Sequence, residues 1–496
     1  MPTFLLRRAH LVPLDARAGG DPAPHDVLVE DGRVVEVGRQ LALPRGTKEY
    51  DADGRWLMPG LWDQHVHLGQ WTLSSQRLDL VGSRSVEEVF SRLQTKMVET
   101  PGVPIVGWGH RPAWWEEQPS VLALDQVTGT LPVVLISGDG HHAWMNTAAM
   151  RALDLSERDA MIAEGEWFRV YPRLEELVGS EGTAPAAYLQ TMRDAAAKGV
   201  VGVVDLEFDQ TLAAWPARTA AGAELLRVRV GAYADTLAEF LAAGVRTGEP
   251  IPGAGPLVTM GPLKIISDGS LNTRTAWCCT PYLDGLSGAP NLSSEGLRGL
   301  MAAASHNGLE MAIHAIGDAA VTEALDAYAD TGATGSIEHA QLMAHADAAR
   351  MAALGIRASV QPAHLLDDRD LTEAIWPDRT DRCFALRWLL DAGVEMVLGS
   401  DAPVSALDPW EAIAAAVHRS NDDRAPWHPE HSLTLLEALA ASTDGLGTVA
   451  AGHPADLVLL DADPLVSGSS LEQAKAMRSM TVAGTWVAGR LVHSSL

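Results

Sequence analysis

Lysine is scarce in this chain. Lys and Arg together number 37, and five of these are lysines: Lys48, Lys96, Lys198, Lys264 and Lys475. Cysteine is scarcer still, with three residues, Cys278, Cys279 and Cys383. An odd count with one adjacent pair and no Cys-x-x-Cys excludes a disulfide framework and a zinc knuckle, and reads as reduced thiols in a cytoplasmic protein. Positive charge is outweighed, leaving a formal net charge of −27. Such a surface repels nucleic acid and anionic lipid. No apolar run approaches the roughly 18 residues of a membrane span. The opening Met1-Pro2-Thr3-Phe4-Leu5-Leu6-Arg7-Arg8 lacks the long apolar core of a signal peptide. No Gly-x-Ser-x-Gly elbow is present, so a serine nucleophile of that kind is not indicated. Phe and Tyr number 6 each against 15 Trp. Internal repeats and low-complexity linkers are also missing.

What is present is length and apolar content: 496 residues, 47% hydrophobic. Both ends read as short strands. Asp26 to Gly38 is a hairpin pattern around Asp31-Gly32, and Met480 to Val492 is another, since apolar runs flanking such turns are the hairpin signal. The two ends are expected to fold together into a small β-sandwich domain, residues 1–57 with 445–496. The middle, 58–444, alternates apolar strands with alanine-rich helical stretches, the βα pattern of a parallel barrel. Candidate strands are Val200–Val204, Arg227–Tyr233, Leu263–Ile266, Met311–Ala315, Ser336–His339, Ala358–Gln361 and Met396–Ser400. The run Trp56–Leu61 leading to His65 makes eight, so an α/β fold with a (β/α)8 barrel is expected. One stretch, 70–190, is too long for a βα unit. It holds Trp71, Trp108, Trp114, Trp115, Trp144 and Trp167, and reads as an inserted subdomain over the barrel mouth.

The chemistry lies at the strand ends. His65 and His67 are two apart, so on a strand both face one side, and imidazole suits zinc and its neighbours. Lys264, His314, His339 and Asp401 fall at further strand ends, by this count strands four, five, six and eight. Side chains from several strand ends converge in a barrel. Lys264 is the oddity: an ammonium among apolar residues bears a desolvation cost. It either snorkels out, pairs with Asp268, or is not an ammonium at all. Asp318 and Glu338 neighbour the histidines, as carboxylates that orient metal-binding rings do.

Pro59-Gly60-Leu61-Trp62-Asp63-Gln64-His65-Val66-His67, Asp139-Gly140-His141, Lys264 with Asp268-Gly269-Ser270-Leu271, His314-Ala315-Ile316-Gly317-Asp318, Glu338-His339-Ala340-Gln341, Ser359-Val360-Gln361-Pro362 and Gly399-Ser400-Asp401-Ala402-Pro403 together resemble the amidohydrolase superfamily. More closely, the chain is similar to the YtcJ-like (amidohydrolase 3) family, which includes N-substituted formamide deformylases. The resemblance implies a distorted barrel with a binuclear centre. His65, His67 and Asp401 would hold one divalent ion, and His314 and His339 the other. Lys264, carboxylated by CO2, would bridge them. Zinc is the expected metal, with manganese, cobalt or iron as substitutes. Asn272-Thr273 stands where the family leads one to expect smaller residues.

The function expected is metal-dependent hydrolysis of a non-peptide C–N bond, of amide or formamide type, with Asp401 as the catalytic proton shuttle. Hydrolysis of esters, lactones or cyclic imides or imines is the alternative, and a barrel without catalysis a further one, which should lack a ligand. His141 and Trp144 are substrate candidates at a lid edge, although His141 could equally cap local backbone. Arg274 either meets a substrate carboxylate or pairs with Asp268. Gln361, His364 and Arg382 are candidates for the pocket lining. The partner expected is a small molecule with a bulky apolar or aromatic group; no nucleic acid or membrane partner is expected, and a homodimer is left open.

Overall fold

The chain changes sheets at Gly60. In the computed structural model, which describes residues 3–15, 23–75, 77–110, 112, 115–137, 142–178, 187–208, 210–271 and 273–496, Trp56–Pro59 and Leu61–Val66 are separate strands. The single run expected from Trp56 to the histidines is thus divided. Gly60 N–H makes the last bond to the terminal sheet, donating to Asp456 O at 2.9 Å, and Leu61 N–H the first to the barrel, donating to Gly199 O at 2.9 Å. Only glycine fits there: a Cβ on residue 60 would lie 2.1 Å from Val201 Cγ1.

The barrel strands are Leu61–Val66 (β1), Val200–Asp205 (β2), Arg227–Ala232 (β3), Val258–Ile266 (β4), Met311–Ala315 (β5), Gly335–His339 (β6), Arg357–Val360 (β7) and Met396–Leu398 (β8). They pair in parallel in that order. β1 and β2 are buried at every position, as strands covered on both faces are. Between them run helices such as Asp318–Thr331, closed by Gly332 in the left-handed conformation (φ 64°), the usual helix stop. Just beyond β8 the sheet meets its own beginning. Asp401 N–H donates to His65 O at 2.7 Å and His67 N–H to Ala402 O at 2.9 Å, and Ser400 N–H donates to Asp63 Oδ1 at 2.9 Å.

Strands from both termini form one further sheet. Phe4–Leu11, His25–Glu30, Arg33–Gly38, Lys48–Asp51 and Trp56–Pro59 join Leu457–Leu460, Val482–Val487 and Arg490–Ser494. The hairpin turn at Asp31-Gly32 has φ of 48° and 77°, as a two-residue turn with both central residues left-handed requires. Phe4, Val29, Leu57, Leu459 and Trp486 share one apolar core, with the Phe4 and Trp486 rings stacked at 5.7 Å.

Gly69–Thr191 is a second compact unit. It contains a sheet of Leu78–Asp79, Ile105–His110, Val133–Ser137, His142–Met145 and Ile162–Ala163. Helices Val86–Glu99 and Val121–Thr128 start on the serine caps Ser85 and Ser120. Trp115, Trp144 and Trp167 lie in its core. No described helix of the chain is long and apolar enough to cross a membrane.

Candidate metal centre

Closure of the barrel assembles the centre. β1 carries His65 near its end and is followed at once by His67, and the seam bonds draw Asp401 against both: its Oδ1 lies 3.4 Å from His65 Nε2 and 3.2 Å from His67 Nε2. His339 completes a group of three, with His65 and Asp401, whose ligand atoms lie within 4.8 Å of one another. The His314 ring meets His339 edge-on at 4.6 Å. Lys264 pairs in register with Ala312, one same-face step below His314. Its long stem carries Nζ to 3.2 Å from His65 Nε2. All six sequence-derived ligand candidates are therefore in one cluster. Each is buried except His314, which is partly so.

The backbone explains how neighbouring residues both reach this cluster. Glu338 and His339 are adjacent on β6, and adjacent strand residues face opposite ways. His339, however, has φ 71° and Ala340 φ 45°, and Asp401 has φ 55°. Left-handed backbone at a non-glycine residue costs of order 1–3 kcal/mol and gathers at functional sites. Here it turns His339 inward beside Glu338.

Glu338 is the main support. Its Oε2 accepts the His65 Nδ1–H bond at 2.8 Å, and Oε1 accepts from Ser336 Oγ at 2.5 Å. With Nδ1 carrying the proton, His65 presents Nε2 as a lone pair to the cluster. His314 Nε2–H lies 3.3 Å from Gly269 O, the acceptor it donates to, which leaves Nδ1 as its lone-pair nitrogen. Gln361 is buried against His65, Nε2 to Nδ1 at 3.4 Å, and its own Oε1 has no hydrogen-bond partner among the described residues. His364 Nε2 stands 3.9 Å from Asp401 Oδ2.

The electrostatics follow from burial. Burial, then the Lys264 charge, pushes His314 down to about 3 and lowers His65. Burial, then His314, takes His339 well below its usual value. These rings are neutral, with lone pairs to offer. Burial works against the Asp401 carboxylate, but the facing His65 ring and the hydrogen bond from His67 outweigh it and hold its pKa well below normal. Burial lowers Lys264 against the pull of Glu338 and Asp401. His67 Nδ1, His339 Nδ1 and His364 Nε2 are buried without a hydrogen-bond partner among the described residues. Buried polar atoms normally have one. Neutral imidazoles, a carboxylate and orphaned ring nitrogens around one point fit a divalent transition-metal ion.

Other candidates are placed elsewhere. Trp144 is wholly buried in the core of the 69–191 unit, its indole N–H donating to Ser120 O at 3.1 Å. His141 lies outside the described residues, as does Trp114. Arg274 is exposed and pairs with Asp284 at 3.5 Å, not with Asp268. Asp268 is instead saturated by backbone N–H groups of Trp277, Ile316 and Gly317. Arg382 is tied to Asp318 and to Met343 O, at 3.0 Å for the latter, which makes it a brace between loops. Sequence reading missed the Asp63 carboxylate, pushed up to about 7 by burial and bonded to Ser400 N–H and His65 N–H. It also missed Phe208, stacked on His67. An acidic residue directly inside a strand that ends in His-x-His was the available signal for Asp63.

Residues 48–493 match the family model described as the amidohydrolase family. Among curated proteins, the chain is 28% identical to the protein LONG AFTER FAR-RED 3 of Arabidopsis thaliana, over 95% of this chain and 89% of that one. It is 26% identical to the N-substituted formamide deformylase of Arthrobacter pascens, over 99% and 98%. Among solved structures, an uncharacterized metal-dependent hydrolase from Pyrococcus horikoshii superimposes with a TM-score of 0.76 at 24% identity, covering 93% of this chain and 98% of that one.

Proposed function

The chain belongs to the amidohydrolase family, and from that premise we propose that it is a metal-dependent hydrolase of non-peptide C–N bonds, acting on an amide of the formamide type. The observation that carries the reading is the seam: His65, His67 and Asp401 meet there, with Lys264, His314 and His339 joined to them. His65, His67 and Asp401 would hold one ion and His314 and His339 a second. A divalent ion in such a site polarises a carbonyl oxygen and brings the pKa of water toward ~7.

The chain's own groups supply the rest. Asp401 is kept ionised by His65 and His67, so it can take the proton of the attacking water and return it to the leaving nitrogen. Glu338 fixes the His65 tautomer. Lys264 is the bridging candidate. As a cation it leaves the cluster, with Asp401 and Glu338, only one net negative charge; as a carbamate, formed when the neutral amine adds CO2 and releases a proton, it leaves three. Two dications are better balanced by the carbamate. Burial, which disfavours the ammonium, also supplies the neutral amine that CO2 requires. The formamide deformylase likeness at 26% identity over nearly the whole chain supports the choice of bond.

The test is elemental analysis of purified protein together with a substrate screen of N-acyl and N-formyl amides, hydantoins, esters and lactones. Close to two divalent ions per chain, activity on amides, and loss of activity with a chelator are expected. A replete, fully active preparation with one ion overturns the binuclear reading. Turnover confined to esters or lactones overturns the choice of bond. Asp401→Asn should fold normally and lose several orders of magnitude in kcat.

A further inference from the structure

Beyond the ligands themselves, the loop after β2 carries a side chain that the metal centre does not use. Phe208 follows Asp205, the last residue of β2, by three positions, and its side chain is 44% exposed. One face of its ring stacks on His67, centroids 4.8 Å apart and planes at 18°. Tyr233, just past β3, tilts against it at 5.2 Å and 39°.

This exposure is on an anchored loop. Asp205 is fully buried and accepts from Leu68 N–H, Glu207 N–H, Gln210 Nε2 at 2.5 Å and Trp215 Nε1. Phe208 N–H donates to Glu207 Oε1 at 2.9 Å, and the Tyr233 hydroxyl to Leu206 O at 2.7 Å. The ring is thus held in place while part of its apolar surface stays in solvent. Burying an aromatic side chain is worth roughly 1.5–3 kcal/mol, so a fixed ring left half open beside His67 is a surface awaiting an apolar occupant.

We propose that Phe208 determines specificity by stacking a planar apolar group of the substrate, an aromatic or conjugated substituent carried next to the scissile bond. The inference rests on the hydrolase reading above and names its substrate class. His67 Nε2 lies 3.2 Å from Asp401 Oδ1. The ring that backs His67 is therefore one side chain away from the carboxylate proposed to move the proton. Offset-stacked aromatic pairs with centroids ~4.5–7 Å apart gain about 0.5–1.5 kcal/mol beyond simple burial.

The experiment compares N-benzylformamide with N-methylformamide on the metal-replete enzyme and on Phe208→Ala and Phe208→Tyr. The wild type should prefer the benzyl compound. In Phe208→Ala the ratio of the two kcat/KM values should fall about tenfold, whereas Phe208→Tyr keeps it within about twofold. Metal content by elemental analysis should match the wild type in both variants. An unchanged ratio in Phe208→Ala overturns the inference, and so does loss of metal there, which would assign the ring to His67 alone. If the wild type cleaves neither amide, the reading as a C–N hydrolase fails by itself. The same pair titrated calorimetrically then reports binding: a preference for the benzyl compound that Phe208→Ala removes upholds the stacking role, and equal affinity overturns it.

Discussion

Removing the carboxylate of Glu338 should cost the centre its metal before it costs the protein its fold. Glu338 and His65 are both at most 2% exposed and are joined at 2.8 Å. A hydrogen bond to a charged acceptor is worth about 1.5–3 kcal/mol, against about 1 kcal/mol for a neutral pair. At ~1.4 kcal/mol per tenfold, loss of the whole bond amounts to roughly 10–100-fold in the affinity of the centre for a divalent ion, the range seen when such orienting partners are removed elsewhere. Glu338→Gln retains an acceptor for His65 Nδ1–H and can turn its amide N–H toward Ser336 Oγ, so only the charge is lost, and about tenfold weaker binding is expected. Glu338→Ala leaves a buried imidazole N–H without a partner, and about 100-fold is expected. Competition with a chromogenic chelator measures both, with calorimetric melting alongside to show that the fold persists. An affinity for metal within twofold of the wild type in Glu338→Ala, at unchanged Tm, would refute the claim that this bond sets the His65 ring.

Lys264→Met removes a buried ionisable amine and keeps the volume, so the Tm of the metal-free protein should hold or rise while activity is lost; acetate or propionate supplied with metal should restore part of it, and failure of that rescue across chain lengths counts against a carbamate bridge. Trp144→Ala should destabilise the 69–191 unit by about 3–5 kcal/mol, read as faster hydrogen exchange in Val133–Ser137, its neighbour in the sheet; full protection with altered kcat/KM would return Trp144 to the substrate. Glu437, bonded to Arg387 and Thr434, has its pKa depressed to about 2. A depressed folded-state value stabilises at pH above the unfolded value of ~4.3, and that stability is lost as pH falls from there through about 2. Since the pair is about one-third exposed, Glu437→Gln should cost only about 1 kcal/mol at pH 7 in urea unfolding, and the difference should shrink below pH 4; a constant difference would show that the charge is irrelevant.

The ligand candidates stand out in the sequence because each is a polar residue interrupting an apolar strand near its end, and strand ends of a parallel barrel converge. Side-chain direction could not be read. The sequence marks Glu338 as an orienting carboxylate beside His339 but not how two adjacent strand residues both face the centre; that depends on the left-handed backbone at His339. The pairing expected for Asp268 failed because backbone N–H groups, invisible as sequence, satisfy that carboxylate before any arginine does. The burial of Trp144 is illegible for a related reason: an indole is as good at filling a core as at lining a pocket, and composition does not separate the two. The strand into His65 was drawn too long because Trp56–Leu61 is continuously apolar, and only the close approach of Val201 shows why Gly60 divides it.

The seam that joins β8 to β1 also fixes when the centre can exist. Ser400 and Asp63 bond across 337 positions of sequence. A ribosome adds about 5–20 residues per second, so the first histidines wait many seconds for their aspartate. During that interval the nascent β1 has no β8 to cover its outer side, and it is an unpaired edge of the sort that recruits strands from other chains. An ion that needs His65 and Asp401 together binds only after the last strand has docked, and by mass action it then favours the closed form over every open one. Metal supply during synthesis should therefore govern how much of the chain escapes aggregation, quite apart from how fast the finished enzyme turns over.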